Sequence, residues 1–132
     1  MKEIIVDTNV LLRFLIKDSS LLGIKADNFF KKAHSGSYVI KLNELIIAEC
    51  LWVLISHYKY TKVDAVNALR SLILHEEFKI RDKILINESL NIFLENNISF
   101  VDSYLYCQSQ STGLNLITFD EKLARLNKKI KT

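Results

Sequence analysis

The stretch "IIVDTNVLLRFL", Ile4 to Leu15, decides how the chain is read. Three β-branched apolar residues run straight into Asp7, then Thr8 and Asn9, and an apolar run resumes at Val10. The pattern is that of a short buried strand over residues 3–6 handing over to a helix. A carboxylate at that junction is either a helix cap or the first ligand of a metal site.

Working outward, the helix after Asp7 is expected over Val10 to Lys17, ending before Asp18-Ser19-Ser20. Ser20 caps a second helix whose apolar face is Leu22, Ala26, Phe29 and Ala33 and which stops at Gly36. Tyr38-Val39-Ile40 reads as a second strand, and Asn43 as the cap of a strongly apolar helix running to about Tyr58. Thr61 and Asp64 form a capping-box pattern opening a helix to about His75, with Val66, Leu69 and Ile73 on one face. Phe78 to Arg81 is a third short strand, Ile84 to Leu94 a helix ended by Asn96-Asn97, and a further helix starts near Asp102 and stops at Gly113. Leu116-Ile117-Thr118 is expected as a strand and Glu121 to Asn127 as a short final helix. Strands separated by helices imply parallel pairing in a layered α/β fold. Sites on open parallel sheets sit beyond the carboxyl ends of the strands.

At 132 residues, with 49% hydrophobic and 25% charged side chains, the chain suits one soluble globular domain, 1–132. Three Gly and no Pro leave no place for linkers or low-complexity segments. A net charge of +3 permits nucleic-acid partners without pointing to them. Lys122, Arg125, Lys128, Lys129 and Lys131 read as a solvated basic tail. The amino terminus shows no signal-peptide pattern, and Leu45 to Ile55, broken by Glu49, is too short to span a bilayer. Cys50 and Cys107 lack metal-type spacing and suggest a reducing, cytoplasmic setting.

Four carboxylates stand in unusual places. Asp7 follows Ile4-Ile5-Val6, Asp120 follows Leu116-Ile117-Thr118-Phe119, Asp102 follows an apolar run at a helix start, and Glu49 is the single charge on a helix patterned for complete burial. Taken singly, Asp7, Asp102 and Asp120 read as capping groups; Glu49 on a buried helix is costly unless paired or metal-bound, with a solvated seam or a Lys pair as its alternative. Taken together, carboxylates gathered at one sheet edge repel one another unless a cation neutralises them. Oxygen ligands without His or Cys companions suit Mg2+ or Mn2+ rather than Zn2+, and such ions serve phosphodiester hydrolysis.

"VDTNVLLRFL" (Val6–Leu15), "AECLWVL" (Ala48–Leu54), "FVDSYLY" (Phe100–Tyr106) and "LITFDEKLARL" (Leu116–Leu126) occur in the order seen in PIN-domain ribonucleases. The chain resembles that family from Ile4 to Leu126, and most of all the VapC-type toxins of bacterial toxin–antitoxin pairs. The resemblance implies a three-layer α/β/α domain, a short-stranded parallel sheet flanked by helices. It also implies an acidic quartet of Asp7, Glu49, Asp102 and Asp120 on one or two Mg2+ or Mn2+ ions. Thr8, Asn9 and Thr118 would steady those carboxylates and their waters. The same resemblance implies an RNA substrate such as tRNA or ribosomal RNA, a homodimer, and an antitoxin whose tail covers the acidic groove.

The chain departs from the pattern at Ser103, where Ala is common, and near Lys41, where a proline is frequent. Its short end leaves Ile130 as the remnant of a final strand. Trp52, Phe14, Phe29, Phe30 and Tyr58 read as core or dimer-face residues rather than base-stacking platforms, and Tyr104 or Tyr106 as a possible groove wall. Arg13 and Lys17 read as a solvated helix face, and His34, His57 and His75 show no paired spacing and receive no catalytic role. Haloacid dehalogenase-type phosphatases need a second acid where Asn9 stands, and receiver domains need an early acidic pair; the sequence offers neither. The rival from another class is a binding module that holds RNA or protein without cutting.

Overall fold

The computed structural model describes residues 2–130, with side chains described through residue 127. Among the described residues there are seven helices and three strands: β1 (Lys2–Ile5), α1 (Thr8–Leu15), α2 (Leu21–His34), β2 (Tyr38–Leu42), α3 (Glu44–Ser56), α4 (Lys62–Ile73), β3 (Phe78–Ile80), α5 (Lys83–Glu95), α6 (Phe100–Thr112) and α7 (Glu121–Ile130). The chain divides into two compact units, Met1–Arg81 and Asp82–Thr132.

In the first unit the strands form one parallel sheet in the order β1-β2-β3. Lys2 stands beside Tyr38 and Ile5 beside Lys41 in one ladder, and Ile40 beside Phe78 in the other. Helices connect the strands, as parallel pairing requires. Leu11, Ile40, Ile47, Leu51, Leu54, Val66 and Leu69 are almost fully buried and form the core of this α/β unit. An aromatic run adds to it, with ring centroids 4.4 Å apart for Phe14–Phe30 and 5.9 Å for Phe30–Phe78.

Side-chain caps set where these helices begin. Ser20 accepts from the Gly23 N–H at 3.2 Å, Asn43 from Ile46 at 3.0 Å and Thr61 from Asp64 at 3.0 Å, the caps expected from sequence. Close approach makes Gly23 necessary, since a Cβ there would stand 1.9 Å from the Asp18 carbonyl oxygen.

The second unit is helical. Asp82 caps α5, with the Leu85 N–H at 3.0 Å, and Ser99 caps α6, with the Asp102 N–H at 3.1 Å. Gly113 ends α6 in the left-handed region at φ 75°, where a Cβ would be strained. Leu85, Tyr106, Cys107 and Leu123 form one buried cluster in it, with Ile98, Leu116 and Leu126 packed against them. Ser103 is fully buried, and its hydroxyl donates to the Ser99 carbonyl at 2.8 Å, so the serine at this position needs no other partner.

Several expectations are corrected. The first strand is the sheet edge rather than a buried strand, and Ile5 is 82% exposed. Leu116-Ile117-Thr118 forms no strand; Ile117 and Phe119 face outward, and Leu116 is held by the helical core. Helix α3 is not buried all round, because Leu45, Glu49 and Trp52 share an exposed face at helical spacing. Trp52 is therefore no core residue. On α2 Phe30 is the buried aromatic, whereas Leu22 is exposed. The basic residues from Lys122 to Lys129 ride on α7 rather than a tail, and Ile130 closes that helix instead of starting a strand. Lys131 lies outside the described residues. No helix among the described residues is long and apolar enough to cross a membrane.

Candidate active site

Asp7 stands two residues beyond the carboxyl end of β1 and is exposed. Its Oδ1 accepts the Val10 N–H at 3.0 Å, so the carboxylate caps α1 and leaves its second oxygen uncommitted to that bond. Thr8 is buried and Asn9 exposed, and Asp7 and Asn9 line a cleft of about 600 Å3 with Ile5, Val10, Arg13 and Tyr38. Arg13 is not a solvated cation: its guanidinium holds Asp18 at 2.5 Å. Hydrogen bonds from the Ser20 N–H and hydroxyl, aided by Arg13, hold the Asp18 carboxyl below its ordinary value.

Glu49 projects from the second turn of α3, the helix that follows the carboxyl end of β2. It is exposed between Leu45 and Trp52, not embedded in apolar surroundings, so burial exacts no penalty from its charge. Beside it in sequence, burial and the Glu49 charge push the Cys50 thiol up to about 12. Glu49 and Asp7 belong to elements that leave neighbouring parallel strands at the same end of the sheet.

In the helical unit Asp102 lies in the first turn of α6 and is half-buried, two residues inside the helix rather than at its start. Asp120 caps α7 by accepting the Leu123 N–H at 2.8 Å, while its own N–H donates to the Thr118 hydroxyl at 3.0 Å. Asp102 and Asp120 line one depression of about 480 Å3, together with Lys122 and Arg125. Neither carboxylate makes an ion pair among the described residues. Two hard oxygen donors in one open depression fit a Mg2+-class ion, which keeps several waters and needs few protein ligands.

Of the seven site residues expected from sequence, the structure brings Asp102 and Asp120 to one depression and Asp7 and Asn9 to another. Glu49 is on the face of α3 it shares with Leu45 and Trp52. Thr118 holds the backbone of Asp120, whereas Thr8 is buried at the start of α1. Tyr106 is a core residue whose hydroxyl pKa is raised by burial, so it forms no groove wall. Sequence reasoning passed over His34 and His75, which the fold gathers with Glu77. Their separation in sequence hid them.

No curated protein matches the chain. Residues 4–129 match the PIN domain, a nuclease fold whose members generally work with divalent metal ions. With a match over nearly its whole length, the chain belongs to the PIN domain family.

Proposed function

We propose that this protein is a Mg2+- or Mn2+-dependent endoribonuclease, one nuclease domain over residues 1–132, and the toxin of a VapC-type toxin–antitoxin pair. The observation that carries the reading is the placement of its carboxylates. Asp7 and Asp120 each sit at a helix N-terminus with backbone N–H groups fixing one oxygen, and Asp102 shares the depression of Asp120.

Asp7, Glu49, Asp102 and Asp120 are the proposed metal ligands. Bound there, a divalent cation supplies neutralisation of charge on phosphate oxygens and a more acidic water. The residues of the chain do the rest. The Val10 N–H fixes the rotamer of Asp7, and the Leu123 N–H that of Asp120. Thr118 pins the backbone of Asp120, and Asn9 shares the cleft of Asp7 and offers an amide to its neighbours. Lys122 and Arg125 flank the Asp102–Asp120 depression and favour an approaching phosphodiester backbone. Structured RNA such as tRNA or a ribosomal RNA loop is the proposed substrate. A homodimer and an antitoxin complete the proposal, and the exposed Leu45 and Trp52 of α3 supply an apolar face for such partners.

The test is bacterial growth on induction of the wild-type chain beside Asp7→Asn, with total RNA from both on one gel. Arrest and discrete RNA fragments in the wild type alone support the reading. RNA that is bound yet left whole in Mn2+, equally by both chains, replaces it with a binding module.

A further inference from the structure

The three strands run the same way, so the sheet of the first unit has two chemically distinct ends. Asp7 follows β1 at the carboxyl end. At the amino end lies a different group. His34 is the last residue of α2, His75 follows α4 in the turn before β3, and Glu77 immediately precedes β3. One ligand atom from each lies within 4.8 Å of the others. His34 Nδ1 is 3.0 Å from Glu77 Oε2, and the His34 and His75 rings meet edge-on with centroids 5.5 Å apart.

The carriers of these side chains are fixed. The Ile40 N–H donates to the Glu77 carbonyl at 2.7 Å, tying Glu77 to β2, and the Phe78 N–H donates to the His75 carbonyl at 3.2 Å. The Glu77 side chain is only 11% exposed, whereas both imidazoles are on the surface with room to turn. The His34–Glu77 hydrogen bond alone does not account for a second imidazole beside it.

The geometry points to a second metal site, in which His34, His75 and Glu77 ligate a borderline transition-metal ion of the Zn2+ class. Two imidazole nitrogens and one carboxylate are a common three-ligand set for Zn2+, and imidazole discriminates against Mg2+. All three residues stand on the wall of a cavity of about 500 Å3 lined by Phe14, Phe30 and Phe78, which leaves the remaining coordination positions open to water. The ion clips the end of α2 to the entry of β3, joining segments some forty residues apart. It does not depend on the nuclease reading, since none of its ligands belongs to the acidic quartet.

Tag-free protein is titrated with Co2+ in millimolar Mg2+ and followed by visible absorption, then back-titrated with Zn2+. One Co2+ with the intense d–d bands of a four- or five-coordinate nitrogen-bearing site, displaced by one Zn2+, is the expected result. His34→Ala and His75→Ala, both at exposed positions, weaken that binding at least tenfold, whereas Asp7→Asn retains it. Zn2+ also raises the melting temperature of the wild type and not of the histidine variants. Absent bands, wild-type affinity in His34→Ala and His75→Ala, or loss confined to Asp7→Asn overturns the site and leaves a His34–Glu77 hydrogen bond only.

Discussion

The Oδ1 of Asp7 lies 3.0 Å from the backbone nitrogen of Val10, so the first acidic residue of the proposed nuclease site is also the N-cap of α1. The two roles separate by substitution. Asn caps a helix about as well as Asp but is a poor metal ligand, whereas Ala does neither. Asp7→Asn is expected to keep wild-type stability and lose RNA cleavage by about 100-fold or more. Asp7→Ala loses cleavage equally and about 1 kcal/mol of stability besides. Urea unfolding beside a cleavage assay checks both, and equal stability of the two variants would show that the cap is idle.

Gly23 packs against the backbone of Asp18, where a Cβ would meet the carbonyl oxygen at 1.9 Å. That oxygen belongs to the main chain and to a corner already locked by Arg13 and Ser20. Gly23→Ala is therefore destabilising despite alanine's better helix propensity, by about 1–3 kcal/mol. Denaturant midpoints of the variant and of Gly36→Ala, where no atom crowds the added Cβ, give the comparison; only the latter carries a penalty from its φ of +102° alone.

The Cys50 thiol, raised by burial and the neighbouring Glu49 to about 12, makes the fold sensitive to alkali. Above the ordinary thiol value of 9.0 the unfolded chain has released this proton and the folded chain retains it, so stability falls as pH rises towards about 12. One such group contributes a slope of at most about 1.4 kcal/mol per pH unit. Cys50→Ala is less stable at neutral pH because it leaves a cavity, yet its stability declines less steeply between pH 9 and 11. The difference in slope, read from urea curves across that interval, is the measurement. A parallel decline would remove the thiol as the cause.

Thr118 holds Asp120 from behind, its hydroxyl accepting the Asp120 N–H at 3.0 Å. Thr118→Val keeps shape and removes the acceptor. A positioning role predicts a fall in kcat of about tenfold or more with little change in KM, and recovery in Thr118→Ser. A loss of activity that Thr118→Ser does not restore would point to packing instead.

The helices were legible because their signals are local. Ser20, Asn43 and Thr61 are capping residues whose bonds span three positions, so sequence alone places them. Strand burial was not local. Ile4-Ile5-Val6 has the composition of a central strand, yet β1 is the edge of the sheet, a fact settled by which strands lie beside it. Leu116-Ile117-Thr118 has β-branched character, but Leu116 packs on the helical core and no strand forms. Apolar composition likewise suggested burial all round α3, while Leu45 and Trp52 are exposed beside Glu49. Asp7 and Asp120 were visible as carboxylates at junctions, and both are indeed caps. The meeting of His34 with His75 was invisible, because it depends on two crossover helices ending at the amino end of the sheet.

The uniform direction of the three strands bears on how metal experiments with this protein are interpreted. A parallel ladder sorts what it carries by polarity: an oxygen donor after β1, and nitrogen-bearing donors before β2 and β3. A chelator added to the whole protein would therefore act on both proposed metal sites at once, and a single dose–response curve would average them. Hard and borderline ions supplied in turn, rather than one broad-spectrum chelator, give each end of the sheet its own readout.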